Sequence, residues 1–213
     1  MTDAISQALS QTPVVPLVQS NDPQIALEIA RALVEGGLTV LEVVLRTDEA
    51  IECLRFLCAE LPGAHVGAGT VIDVAQAEKV INCGAQFVVA PGLDPDVVRY
   101  CQSKDIPVFP GISTATELTA AYNLGLRIVK FFPAGLSGGP TMLGAMSSVF
   151  RDVKFMPTGG VNAANLSEYL AVPSVIACGG SWLTPAAEVE AGNFAAITTL
   201  AREAVALRAA HSS

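Results

Sequence analysis

Lys130 stands in an otherwise apolar run, RIVKFFPAG, over residues 127–135. An ammonium group is costly to bury there unless it is paired or gives up its proton. Side chains alternate along a strand, so Ile128, Lys130 and Phe132 share one face of this run. In LEVVLRT, residues 41–47, the same rule puts Glu42, Val44 and Arg46 on one face. A carboxylate and an amine at matching depth in two strands can meet across a barrel interior. Arg46 then sits nearer the mouth, with a planar fork suited to a carboxylate. Desolvation and the cation at Arg46 favour a neutral amine at Lys130. Such an amine attacks a ketone to form a Schiff base, whose iminium takes up electrons when a neighbouring carbon–carbon bond breaks. Glu42 is placed to move protons during dehydration and at the enamine carbon. The same Lys–Glu pair also reads as a satisfied core ion pair.

A second chemical signal lies late in the chain. PTGGVNAAN (157–165) and ACGGSWL (177–183) each carry Gly-Gly after an apolar run. Glycine-rich turns after the seventh and eighth strands of a barrel expose N–H groups to phosphate. Thr158, Gly159, Gly160, Gly180 and Ser181 are the candidate cradle, with hydroxyls on Thr158 and Ser181. Each Gly-Gly taken singly reads equally well as a plain tight turn.

These residues need a scaffold that brings strand ends together. Apolar runs recur at Val14–Val18, Val40–Leu45, His65–Thr70, Phe87–Ala90, Pro107–Gly111, Ile128–Phe132, Lys154–Thr158 and Val175–Gly179, starting 20 to 26 residues apart. Helical patterns lie between most of them. PQIALEIARALVEGG, DVAQAEKVINCG and TATELTAAYNLG each end at glycine, and Asp or Thr stands where a cap belongs. Asp73, Asp94 and Asp96 fit helix starts, and Thr114 with Glu117 reads as a capping box. Gly138–Thr141 reads as a loop leading into a helix. Eight strands alternating with helices in 213 residues predict one (β/α)8 TIM barrel over residues 1–213. An open doubly wound sheet is disfavoured, because no G-x-G-x-x-G follows the first strand. Ile5 and Leu9, four apart, predict a short N-terminal helix packed on the fold. In a barrel the chemistry collects at the C-terminal strand ends, and Arg46, Thr70, Pro91, Gly111, Ser113, Thr158 and Ser181 all fall there.

Composition narrows the function classes. The formal net charge is −8 with a pI near 4.7, which disfavours a nucleic-acid partner. No Lys/Arg-rich run suggests a membrane surface. The uncharged stretches Phe131–Phe150 and Tyr169–Ala187 are broken by Pro, Gly and Ser, so a spanning helix is disfavoured. Hydrophobic residues make up 51% and the mean hydropathy is +0.49, which suggests strands buried on both faces and surface buried against other subunits. MTDAISQALSQTP lacks the features of a secretory leader. Five scattered cysteines without C-x-x-C fit reduced thiols in a cytoplasmic protein. With only His65 and His211 available, no metal-ligand cluster is visible, and no histidine is placed to serve a cysteine nucleophile.

In this order, LEVVLRT, VGAGTV, FVVAPGL, FPGISTATEL, KFFPA, PTGGVNAAN and GGSWL resemble the 2-keto-3-deoxy-6-phosphogluconate (KDPG) aldolases, from about Val14 to the last helix. The resemblance implies a class I, metal-free, cofactor-free lyase on a (β/α)8 barrel, usually a homotrimer. It implies that Lys130 is the Schiff-base lysine and Glu42 the general acid/base. Arg46 and Thr70 would bind the pyruvate carboxylate, and Pro91 and Phe132 would wall the pyruvate pocket. Thr158, Gly159, Gly160, Gly180 and Ser181 would hold the phosphate. The implied reaction splits a phosphorylated 2-keto acid into pyruvate and glyceraldehyde 3-phosphate. Some relatives also split 4-hydroxy-2-oxoglutarate. A sugar-phosphate epimerase or isomerase, or an aldolase for the galactonate-type isomer, is the alternative on the same barrel. One departure is Gly135, where many members carry an acidic residue after KFFPA.

Overall fold

The computed structural model describes residues 2–211. α1 (Thr2–Gln11) leads into β1 (Val14–Val18), α2 (Pro23–Glu35), β2 (Val40–Val44), α3 (Ala50–Glu60), β3 (His65–Gly69), α4 (Val74–Asn82) and β4 (Val88–Val89). Then come α5 (Pro95–Ser103), β5 (Val108–Phe109), β6 (Gly111–Ile112), α6 (Ala115–Asn123), β7 (Ile128–Phe131), α7 (Gly139–Val149) and β8 (Lys154–Pro157). The chain closes with α8 (Leu166–Leu170), β9 (Cys178–Gly180), α9 (Ala186–Glu190) and α10 (Phe194–His211).

The helix signals act as the sequence implies. Asp22, Asp73 and Asp94 accept backbone N–H bonds at the starts of α2, α4 and α5, satisfying donors that no helical carbonyl reaches. Thr114 and Glu117 form a complete capping box on α6. Asp96 instead sits in the first turn of α5 and pairs with Arg99 at 3.0 Å. The Gly138 stretch introduces α7, with Gly138 as its N-cap.

All strand pairings are parallel. β5-β4-β3-β2-β1-β9 form one run and β6-β7-β8 another, giving the barrel order without one unbroken ladder. The two gaps have local causes. The expected fifth strand is cut into β5 and β6 at Pro110, which has no N–H to donate. Its carbonyl still accepts from Lys130 N at 3.0 Å. The expected eighth strand starts as a single bridge, Phe155 with Val175, and becomes regular only at Cys178, where it pairs with β1. The fourth strand is shorter than expected, and Pro91 follows it.

Strand alternation divides the core in two. Outward residues such as Val14, Leu41, Val43, Val129, Phe131 and Phe155 pack beneath the helices. Inward residues Val15, Val40, Phe87, Val89, Phe109, Met156 and Ala177 fill the lower barrel together with Ile5 and Leu9 of α1. The predicted N-terminal helix therefore plugs the end opposite the expected chemistry. Above this plug the interior turns polar.

Candidate active site

Lys130 and Glu42 lie just above the apolar plug on the inward faces of β7 and β2. Lys130 Nζ is 3.7 Å from Glu42 Oε1, and their side chains are 8% and 3% exposed. Lys130 Nζ lies 5.3 Å from the centre of the Phe132 ring. One structural reason for this pairing is Gly69. A Cβ there would lie 2.0 Å from Glu42 Oε1, so only a residue without a side chain leaves the carboxylate its place on β2.

The pair stands at the base of a cavity of about 250 Å3. Arg46, Thr70, Pro91 and Phe132 line it, as do Thr158, Gly159, Gly160 and Ser181. Glu42 is its one acid among the described lining residues. Arg46 is exposed at the mouth rather than buried beside Lys130, and its Nη1 donates to Gln19 Oε1 at 3.1 Å. Thr70 holds φ of +66°, a conformation that a β-branched residue rarely adopts and that concentrates at functional sites.

On the other side, Gly159 and Gly160 have φ of +88° and +86°, so the backbone turns at two successive residues as few other residues could. Two braces hold this turn. Ala134 N donates to Thr158 O at 2.8 Å and Gly135 N to Gly159 O at 2.8 Å. Asn165 Nδ2 donates to Gly160 O at 2.8 Å, while its Oδ1 accepts from Asn162 N. Asn165 stood in the quoted PTGGVNAAN, yet its bracing role shows only once the turn is folded.

Ten of the eleven expected site residues thus come together. Gly180 does not line the cavity; Gly179 does. The Gly180 side-chain position points away, where a Cβ would meet the Trp182 ring at 2.4 Å and Val14 at 2.6 Å. Trp182 packs on that face of β9. Ser113, another late-strand candidate, is used by the α6 cap: its N–H and hydroxyl donate to Glu117 at 2.8 and 3.2 Å.

No described cysteine lines the cavity. Burial pushes the thiols of Cys58 and Cys101 up to about 11 and that of Cys178 to about 12, which keeps them protonated at neutral pH. Among the described residues no group of three or more His, Cys, Asp or Glu side chains is arranged to hold a metal ion.

A family model described as "Aldolase: KDPG and KHG aldolase" matches residues 5–200. The chain belongs to this aldolase family. The KHG/KDPG aldolase of Escherichia coli K12 is 46% identical over 197 residues, covering 92% of each chain. Among solved structures, a Legionella pneumophila KDPG aldolase with pyruvate captured as a covalent carbinolamine superposes with a TM-score of 0.89. It is 40% identical and the match covers 92% of this chain and 96% of that one. The Zymomonas mobilis ZM4 KDPG aldolase with 3-phosphoglycerate has a TM-score of 0.91, 40% identity and 97% coverage of both chains. The parallel α/β barrel architecture is common to this chain and these aldolases.

Proposed function

We propose that this chain is a carbon–carbon lyase that cleaves KDPG to pyruvate and glyceraldehyde 3-phosphate through a Schiff base on Lys130. The observation that carries the reading is the buried Lys130–Glu42 pair beneath a cavity with a guanidinium at its mouth. Its membership of the aldolase family supports the same chemistry.

The substrate carboxylate lies toward Arg46 and Thr70, which places the 2-oxo carbon over Lys130. The Lys130 amine adds to that carbon, and the carbonyl oxygen leaves as water after proton transfer through Glu42. Breaking the C3–C4 bond sends its electron pair into the iminium, while the C4 hydroxyl gives up its proton and becomes the aldehyde. The enamine takes a proton at C3. Hydrolysis then frees pyruvate and restores the amine. Glu42 is the acid within reach for these transfers. Thr158, Ser181 and the N–H groups of the Gly159–Gly160 turn are suited to the phosphate. Gly180 serves this cradle through its packing on Trp182. The same steps apply to 4-hydroxy-2-oxoglutarate, which would release glyoxylate. An epimerase would need a second proton-transfer group opposite Glu42, and the described lining offers no second carboxylate.

Incubation with pyruvate and borohydride should fix a stable adduct on Lys130, located by peptide mass. Lys130→Met should abolish pyruvate release while leaving a cooperative melt. An unmodified Lys130 peptide in an active preparation would end the Schiff-base reading. The family resemblance also supports a homotrimer in the cytoplasm, and light scattering on the eluted protein should return three chain masses.

A further inference from the structure

The guanidinium of Arg46 has no ion-pair partner among the described residues, and its one described side-chain hydrogen bond goes to Gln19 at 3.1 Å. Gln19 lies just after β1, in the loop that leads to α2. That loop is held from several sides. Ser20 Oγ accepts from Asp22 N and donates to Asp22 O, both at 3.0 Å. Cys53 of α3 donates to Ser20 O at 3.2 Å. The Asp22 carboxylate is fixed by Gln24 N and Ile25 N. A second bond joins the same two loops, Thr47 Oγ1 to Asn21 Oδ1 at 2.7 Å. Gln19 therefore projects from a braced stretch of backbone; both side chains are exposed, and that of Arg46 is the longer, with the more rotamers to order.

We propose that Gln19 is a positioning residue for the aldol reaction: by accepting one Nη1–H it aims the remaining donors of Arg46 at the substrate carboxylate. This rests on the function proposed above. Arg46 has five N–H donors in a rigid fork, so giving one to Gln19 leaves enough for a carboxylate. The acceptor is a neutral amide, so it orients the cation without cancelling its charge. A carboxylate at position 19 would compete with the substrate for the same fork. Preorganising an exposed arginine before binding removes an ordering cost that the substrate would otherwise meet.

The test is a double-mutant cycle of Gln19→Ala and Arg46→Ala, read as KM and kcat for KDPG cleavage. Wild type is first trapped with pyruvate and borohydride. Gln19→Ala should raise KM about three- to tenfold, with a smaller fall in kcat, as suits loss of one hydrogen bond to a charged group at an exposed site. In the Arg46→Ala background the same change should have almost no effect, because the group it orients is gone. Gln19→Glu should raise KM further than Gln19→Ala. Gln19→Met, of similar length, replaces Gln19→Ala in the cycle if the latter melts early. Equal effects of the Gln19 change in both backgrounds, or an unchanged KM, would overturn the positioning role while leaving the aldolase reading intact. A wild-type protein that forms no adduct would overturn both.

Discussion

Side chains that do the proposed chemistry depend on residues that supply only space. Gly69 is the sharpest case. Gly69→Ala puts a methyl group where Glu42 Oε1 now lies, with Cδ and Cγ 2.7 Å away. Glu42 must then rotate off Lys130, and misplacing a catalytic group by about 1 Å costs on the order of a hundredfold in rate. We expect kcat for KDPG cleavage to fall by about that factor, with borohydride trapping slowed and a cooperative melt retained. Unchanged kinetics would mean that Glu42 does not act from this position. The sequence made Lys130, Glu42 and Arg46 legible because charge in an apolar run is conspicuous and strand alternation fixes its face. It hid Gly69, Asn165 and Gln19, since their roles depend on which neighbour they face. The facing of Gly180 was hidden for a related reason. Two adjacent glycines point to opposite sides of a strand, and only the packing of Trp182 shows which one faces the cavity.

At the level of elements, alternation and caps were readable, and interruptions were not. Pro110 splits the fifth strand although the run PVFPG looks continuous, because the missing N–H matters only against a partner strand. The capping box of α6 was readable from Thr114 and Glu117, but its second use, holding Ser113, was not. Glu117 Oε2 accepts from Ser113 N, Ser113 Oγ, Thr114 N and Thr114 Oγ1 at 2.8 to 3.2 Å. The backbone N–H of Ser113, followed by the hydroxyl and N–H of Thr114, holds the Glu117 carboxyl below its ordinary value. A carboxylate depressed in the folded state stabilises above its unfolded pKa, and that contribution fades as pH falls through the folded value. Glu117→Gln keeps the box and removes the charge. Its stability deficit, measured by denaturant unfolding, should be constant near neutral pH and shrink once pH drops below about 4.5. A deficit that holds steady or widens in acid would show that the charge of Glu117 has no part in the cap.

On the scale of the molecule, stability and chemistry occupy opposite ends of one barrel. Arg46 and the Gly159–Gly160 turn follow the C-terminal strand ends, and Lys130 and Glu42 lie below them inside β7 and β2. Ile5 and Leu9 enter the other end, 3% and 0% exposed, and join Phe87, Phe109 and Met156 in the lower plug. Met156, a member of the plug, pairs in register with Lys130 across β7 and β8, so the plug reaches up to the proposed Schiff-base lysine and serves as its floor. Leu9→Ala would open a void beneath that floor without touching any residue of the cavity. Such a truncation costs about 2–5 kcal/mol, depending on how far the surroundings collapse. Reversible denaturation should show a loss in this range, while kcat and KM measured well below the transition stay within about twofold of wild type, as the separation of stability from activity in this fold implies. If Leu9→Ala lowered kcat in proportion to its lost stability, the floor would be transmitting its packing to Lys130, and the two ends would have to be treated as one coupled unit.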